Sequence, residues 1–363
     1  MTIHVTWTRA IAALAALIAT GLLVAWSGLV PIAASSGHWK ITDWFLHWTM
    51  RNSVKTQSAL TTPDDVVARE GLVSAAGHFA QSCASCHGAP GVRPLPVMQA
   101  ATPPAPNLQV NARAWSDRHL HWILEHGIKF SGMPAWAAKD RPDEIRRMVA
   151  FVRALPTMTP TTYRLLVDGA DAAVPGIAPG LVARCTGCHG TDGRGRGQPD
   201  IPVLGGQKPG YLLAALQRYA GGVRSSAVMQ QAAATLSDAE MHALAKYFAA
   251  MPGLEARNGE TADDLRARRI AVAGLPERQL PPCLSCHSPA RTGSYPILHG
   301  QRAAYLANRL ARWRGHGDTV DARKPHAVMP TIARRIPEDM ISPLAHYFAA
   351  GPSEPSMLVP TKH

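Results

Sequence analysis

An all-α architecture, with one N-terminal apolar helix and three small helical domains behind it, is what this 363-residue sequence predicts. Three observations carry that expectation. A Cys-x-x-Cys-His motif occurs three times, beginning at Cys83, Cys185 and Cys283, so the copies stand roughly a hundred residues apart. The run from Ala10 to Ala34 has no charged side chain. Between the motifs, apolar residues recur at helical spacing, as Ile145, Met148, Val149 and Val152 do within a helix expected from Asp143 to Leu155.

Cys-x-x-Cys-His is the attachment pattern of a c-type haem. The two thiols take up the vinyl groups as thioethers, and the adjoining imidazole becomes the proximal iron ligand. All six cysteines fall in these motifs. That count suits three covalently bound haem c groups, whereas a zinc site takes four ligands, usually from two separate cysteine pairs. Cys83, Cys86, Cys185, Cys188, Cys283 and Cys286 are therefore expected to carry haem, with His87, His189 and His287 as iron ligands.

The opposite side of each iron calls for a soft ligand on a loop that drapes over the ring. Met133, Met229 and Met329 stand at similar separations after their proximal histidines, each ahead of its domain's closing helix. Met133 and Met329 are also followed by Pro. His326 stands three residues before Met329 as a competitor. His/Met ligation raises the reduction potential and fills both axial positions, which leaves outer-sphere, one-electron transfer as the chemistry. Arg218, Arg309 and Arg312 are candidate partners of the haem propionates.

In chain order, residues 1–56 are expected to form an anchor and an interfacial helix. Helical from Ala10 to Ala34, the apolar run would span about 37 Å, enough to cross a bilayer. A secretory signal has a shorter apolar core of about 7–15 residues, so an uncleaved span is favoured, with Ala33-Ala34-Ser35 as the alternative cleavage point. Next, Ile41, Trp44, Phe45 and Trp48 share one helix face between His38 and Met50. That face suits either the membrane boundary or packing on the first haem domain. The two tryptophans also raise quinone binding there as an expectation.

The first haem domain, 57–160, should open a helix at Thr62-Pro63-Asp64-Asp65, with Pro in the first turn and acids at the positive end of the helix dipole. Residues Asn107 to Phe130 read as largely helical, ahead of Gly132-Met133-Pro134-Ala135-Trp136. A Thr/Pro-rich link at Pro156–Pro160 leads to the second domain, 161–255. There Pro202-Val203-Leu204-Gly205-Gly206-Gln207 precedes a helix from Tyr211 to Tyr219, and Tyr247-Phe248-Ala249-Ala250 closes the unit. The third, 256–363, repeats these as Pro296-Ile297-Leu298-His299-Gly300-Gln301, Tyr305 and Tyr347-Phe348-Ala349-Ala350. The two are an internal duplication, with His299 standing where the sister has Gly205.

The formal charge of +12 is offset in part by haem propionates and suits an acidic protein partner or anionic lipid. No aromatic-interleaved basic patch points to nucleic acid. Thioether attachment belongs to the oxidising side of the membrane. In a Gram-negative cell the haem domains would lie in the periplasm and the span in the inner membrane.

From about Thr62 to Ala350 the chain resembles the class I cytochrome c family. The duplicated pair looks like the cytochrome c4/c553 type, through its Cys-x-x-Cys-His motifs, Pro-x-Leu-x-Gly-Gln segments and Tyr-Phe-Ala-Ala ends. The first domain looks more like the single-haem domains of oxidase and dehydrogenase subunits. The whole is similar to cytochrome subunits of bacterial membrane-bound alcohol, aldehyde and sugar-acid dehydrogenases. That resemblance implies a non-catalytic electron-transfer subunit passing electrons from a dehydrogenase to ubiquinone or the respiratory chain. Donation to a terminal oxidase is the rival expectation, and a dihaem-peroxidase-like enzyme, which needs an open haem position, is the third.

Overall fold

The computed structural model describes residues 6–30, 32–68, 70–254, 265–290, 295–315 and 328–350, and among these there are helices and isolated β-bridges but no strand. The all-α expectation holds.

Helix α1 (Trp7–Trp26) has a mean hydropathy of 1.9 and no buried residue. It ends well short of Ala34 because Gly28 turns into the left-handed region at φ 72°. Its 20 residues still rise about 30 Å, the thickness of a hydrocarbon core. Length and composition suit a membrane anchor and a signal sequence alike. In helix α2 (Lys40–Thr61) the aromatic face does not pack on the first haem domain; that contact is made further along by other residues. Ile41, Trp44, Phe45 and Trp48 are exposed, with the two indoles stacked at 6.2 Å. Further along, Val54 and Ser58 are buried, and Arg118 Nη2 donates to the carbonyls of Ser58, Ala59 and Thr62.

Thr62-Pro63-Asp64-Asp65 does not open a helix, contrary to the sequence expectation. Residues 62–68 are non-helical: Val66 is buried there and the Ala68 N–H donates to the Arg146 carbonyl at 3.2 Å. A distant backbone partner outweighs a local capping signal, and the helix begins only at α3 (Leu72–Ser82). The first unit continues through α4 (Ala84–His87), α5 (Pro96–Gln99), α6 (Leu108–Asn111), α7 (Asp117–His126) and α8 (Pro142–Ala154), and α9 (Pro160–Val167), at the head of the next domain, packs back on α3. The α8 face is as expected, with Ile145, Met148, Val149 and Val152 all buried against α3, where Phe151 meets Phe79 at 5.1 Å.

The second unit comprises α10 (Leu181–His189), α11 (Pro209–Ala220), α12 (Ala227–Ala233) and α13 (Asp238–Ala249). The third comprises α14 (Leu265–Ala273), α15 (Leu284–His287), α16 (Ala303–Arg314), α17 (Val328–Arg335) and α18 (Ile341–Ala350). The duplication survives in packing detail. Tyr247 and Phe248 meet edge-on at 5.2 Å and 75°, and Tyr347 and Phe348 do so at 5.2 Å and 77°. His326 and the tail from Gly351 lie outside the described residues.

One core histidine gives the first unit a pH dependence. His78, on α3, is 8% exposed beside Trp136 at 4.9 Å, and burial pushes its pKa down to about 4. An unfolded chain binds this proton near pH 6.5, so the folded state loses stability as pH falls from about 6.5 towards 4. The expected loss approaches 3 kcal/mol at the acid end. Denaturation of the holoprotein against pH measures it, and a His78→Leu variant that kept the full slope would assign it to another group.

Candidate haem sites

Each motif places its histidine at the end of a helix, with the two cysteines one turn apart or less. All six cysteines are half-buried and none is paired in a disulfide. Burial pushes the thiols of Cys185, Cys188 and Cys283 up to about 11 and that of Cys83 to about 12.

The proximal histidines are oriented by proline carbonyls. His87 Nδ1 donates to Pro106 O at 2.8 Å, and His287 Nδ1 to Pro296 O at 2.9 Å. This fixes the tautomer that leaves Nε2 free for iron. Burial lowers all three imidazole pKa values, that of His189 to about 4, and the carbonyls of Pro106, Pro202 and Pro296 act in the opposite sense. At His189 the Pro202 carbonyl faces the ring, yet Nδ1 falls short of hydrogen-bond geometry. Sequence reasoning saw Pro202 and Pro296 as a repeat but gave them no role, and it passed over Pro106. The shared signal is Pro-x-Leu after each motif: Pro106-Asn107-Leu108 is the first unit's copy.

Of the methionines expected as distal ligands, Met133 is half-buried against the same core as Cys83. Its N–H donates to Ser131 Oγ at 3.2 Å and its carbonyl accepts from Ile128 at 3.0 Å. Met229 and Met329 occupy matching places, the second residue after the start of Ala227–Ala233 and the first after the start of Val328–Arg335, and both are half-buried.

Where α11 and α16 approach each other, cations outnumber anions. Arg224 donates to Tyr211 Oη at 3.2 Å and to Tyr305 Oη at 3.0 Å, and it lies over the Tyr219 ring at 4.6 Å. Burial, with Arg224 adding to it, lowers the Arg309 guanidinium; burial with Arg141 and Arg309 lowers Arg312 to about 10. Burial raises the Tyr305 phenol, but Arg224, Arg309 and Arg312 outweigh it and hold it below its ordinary value. Arg224 Nε and Arg309 Nε are buried without a hydrogen-bond partner. Carboxylates fit here, and a haem brings two of them. Of the three arginines singled out in the sequence, Arg309 and Arg312 stand in this cluster, whereas Arg218 points to solvent. His299 packs on Phe348 at 5.2 Å with Nε2 buried and unpaired.

The units touch through the haem motifs themselves. Cys188 Sγ lies so close to α3 that a Cβ on Gly77 would stand 2.7 Å from it. Gln207 and Gln301, both buried, exchange backbone partners between the second and third units. Gln301 pairs with the N–H and carbonyl of Val203 at 2.9 and 3.0 Å, and Gln207 with those of Ile297 at 2.9 and 3.0 Å. Lys208 Nζ then reaches Ser288 O at 3.2 Å, while Arg302 reaches the Arg194 carbonyl.

Small helical units, each opened by a Cys-x-x-Cys-His turn whose imidazole is tethered or faced by a proline carbonyl, define a c-type haem protein. Residues 72–152 match the model for cytochrome c oxidase, cbb3-type, subunit III, and residues 180–252 match the cytochrome c model. A thiosulfate dehydrogenase electron acceptor from Stutzerimonas stutzeri is 37% identical over 50% of this chain and 85% of its own length. Cytochrome c4 from Pseudomonas aeruginosa is 31% identical over 50% of this chain and 90% of its own. The cytochrome c4 structure from Acidithiobacillus ferrooxidans aligns with a TM-score of 0.40 and 28% identity, over 46% of this chain and 97% of that one. The chain belongs to the class I c-type cytochromes, proteins of electron transfer with covalent haem c.

Proposed function

We propose that this chain is a three-haem electron relay at the periplasmic face of the inner membrane. It would consist of an anchor over 1–56 and cytochrome c domains over 57–160, 161–255 and 256–363. Cys83/Cys86, Cys185/Cys188 and Cys283/Cys286 hold the haems, and His87/Met133, His189/Met229 and His287/Met329 are the axial pairs. When bound, each haem supplies a one-electron centre. The chain's own residues orient the imidazoles through Pro106 and Pro296, neutralise propionates at Arg224, Arg309 and Arg312, and exclude water with the aromatic closing helices.

The observation that carries the donor is the likeness to the thiosulfate dehydrogenase electron acceptor of S. stutzeri, which spans 85% of that protein. It favours a periplasmic dehydrogenase that oxidises thiosulfate over one acting on alcohols or aldehydes. For the acceptor, the match of residues 72–152 to an oxidase-subunit model favours a terminal oxidase over ubiquinone.

The test uses the intact holoprotein in mild detergent, mixed with a thiosulfate dehydrogenase and thiosulfate while haem absorbance is followed. All three haems are expected to become reduced, and a cbb3-type oxidase to reoxidise them. Reduction by an alcohol dehydrogenase but not by the thiosulfate enzyme would replace the donor. Reoxidation by a ubiquinone analogue alone would replace the acceptor.

A further inference from the structure

Glu144 stands in the first turn of α8, in the first unit, yet its carboxylate serves the second. Oε1 accepts from the Ser226 hydroxyl at 2.6 Å and Oε2 from the Ala227 N–H at 2.9 Å. Ser226 is the N-cap of α12, and its Oγ in turn accepts the N–H of Met229 at 3.2 Å. From the other side the carboxylate receives Arg141 Nη1 at 2.7 Å and, more weakly, Trp136 Nε1 at 3.4 Å. Trp136 follows Met133 by three residues. Glu144 is 4% exposed and Ser226 4%, so water does not compete for these bonds.

A carboxylate buried this deeply is tolerated only when its lone pairs are filled. Here they are filled by groups from the distal loops of two different haem units. We propose that Glu144 is a positioning residue for the distal ligand of the second haem, fixing from the neighbouring unit the turn that carries Met229. The inference rests on Met229 being that ligand. A methionine sulfur is a weak axial ligand, so freeing the backbone that aims it lets another ligand displace it more easily. Docking of the first unit thereby sets the ligand strength of the second haem.

Titration of the intact ferric holoprotein with imidazole, read in the haem absorption spectrum, tests this. Glu144→Ala is expected to make one haem of the three bind imidazole about tenfold more tightly, equivalent to about 1.4 kcal/mol. Glu144→Gln offers one carbonyl oxygen to two donors, so it can hold either the Ser226 hydroxyl or the Ala227 N–H and should leave an intermediate tightening of about threefold. In a Glu144→Ala/Met229→His double variant the tightened haem should vanish from the titration, because an imidazole already fills that position. Unchanged affinities in the alanine variant, or a tightened haem that persists in the double variant, overturn the positioning role. A Met229→His single variant with a native spectrum overturns instead the ligand assignment beneath it. Should the alanine variant fail to retain three haems, Glu144→Gln with and without Met229→His decides, the expected tightening then being about threefold.

Discussion

Replacing Cys185 and Cys188 by alanine is expected to cut electron passage through the chain by orders of magnitude while both outer haems stay attached and reducible. The second unit touches each of the others through its haem motif or the loop behind it. Cys188 Sγ lies against Gly77 of α3, the helix that leads into Cys83 and Cys86. On its other side, the segment after its motif exchanges glutamine bonds with the third unit. Electron tunnelling falls steeply with distance, so removing the middle centre leaves the outer two too far apart for efficient transfer. Stopped-flow reduction by the dehydrogenase would resolve a fast phase from the haem nearest the donor and a slow phase from the far one. Met229→His provides a version that keeps the haem. The axial ligand acts over a range of about 0.8 V, and exchanging Met for His moves the potential downward by a sizeable part of it. The step onto the middle haem then becomes uphill, and the far haem again fills slowly. Far-haem reduction at the native rate in both variants would remove the second unit from the route.

What the sequence made legible was the chemistry that is written locally. A thioether pair and its imidazole need five consecutive residues, so Cys83 to His87 announces itself without reference to the rest of the chain. The same holds for the α8 face, because helical periodicity puts Ile145, Met148, Val149 and Val152 on one side wherever the helix goes. Failures came where a distant group decided the outcome. The capping signal at Thr62 to Asp65 lost to burial of Val66 and to the Arg146 carbonyl. Pro106 and Pro296 show nothing of their role in the sequence because it lies in a carbonyl oxygen, which every residue has. Glu144 reads as an ordinary acid in a first helical turn, and only the docked neighbour reveals its partners. The apolar run overstated α1 because hydropathy does not register the left-handed turn at Gly28.

The two glutamines are the clearest case of information present in the sequence and still not decoded. Each closes a Pro-x-Leu-x-Gly-Gln segment, and a polar side chain repeated at one register in an apolar turn signals a buried hydrogen-bonding duty. Gln301→Leu should cost roughly 2–4 kcal/mol, since it orphans the N–H and carbonyl of Val203, which is 3% exposed, and unsatisfied buried groups cost about 1–3 kcal/mol each. Gln207→Leu should cost less, because Ile297 is only half-buried and water can replace part of what is lost. Both residues hold one interface, so the double variant should cost less than the two single losses added together. Chemical denaturation of the holoprotein, followed in the haem spectrum, measures all three. Coincident transitions of the second and third units should separate once the exchange is broken. A Gln301→Leu variant within 0.5 kcal/mol of wild type, on the order of an ordinary surface change, would mean that the units are held together by the arginine cluster and its propionates instead.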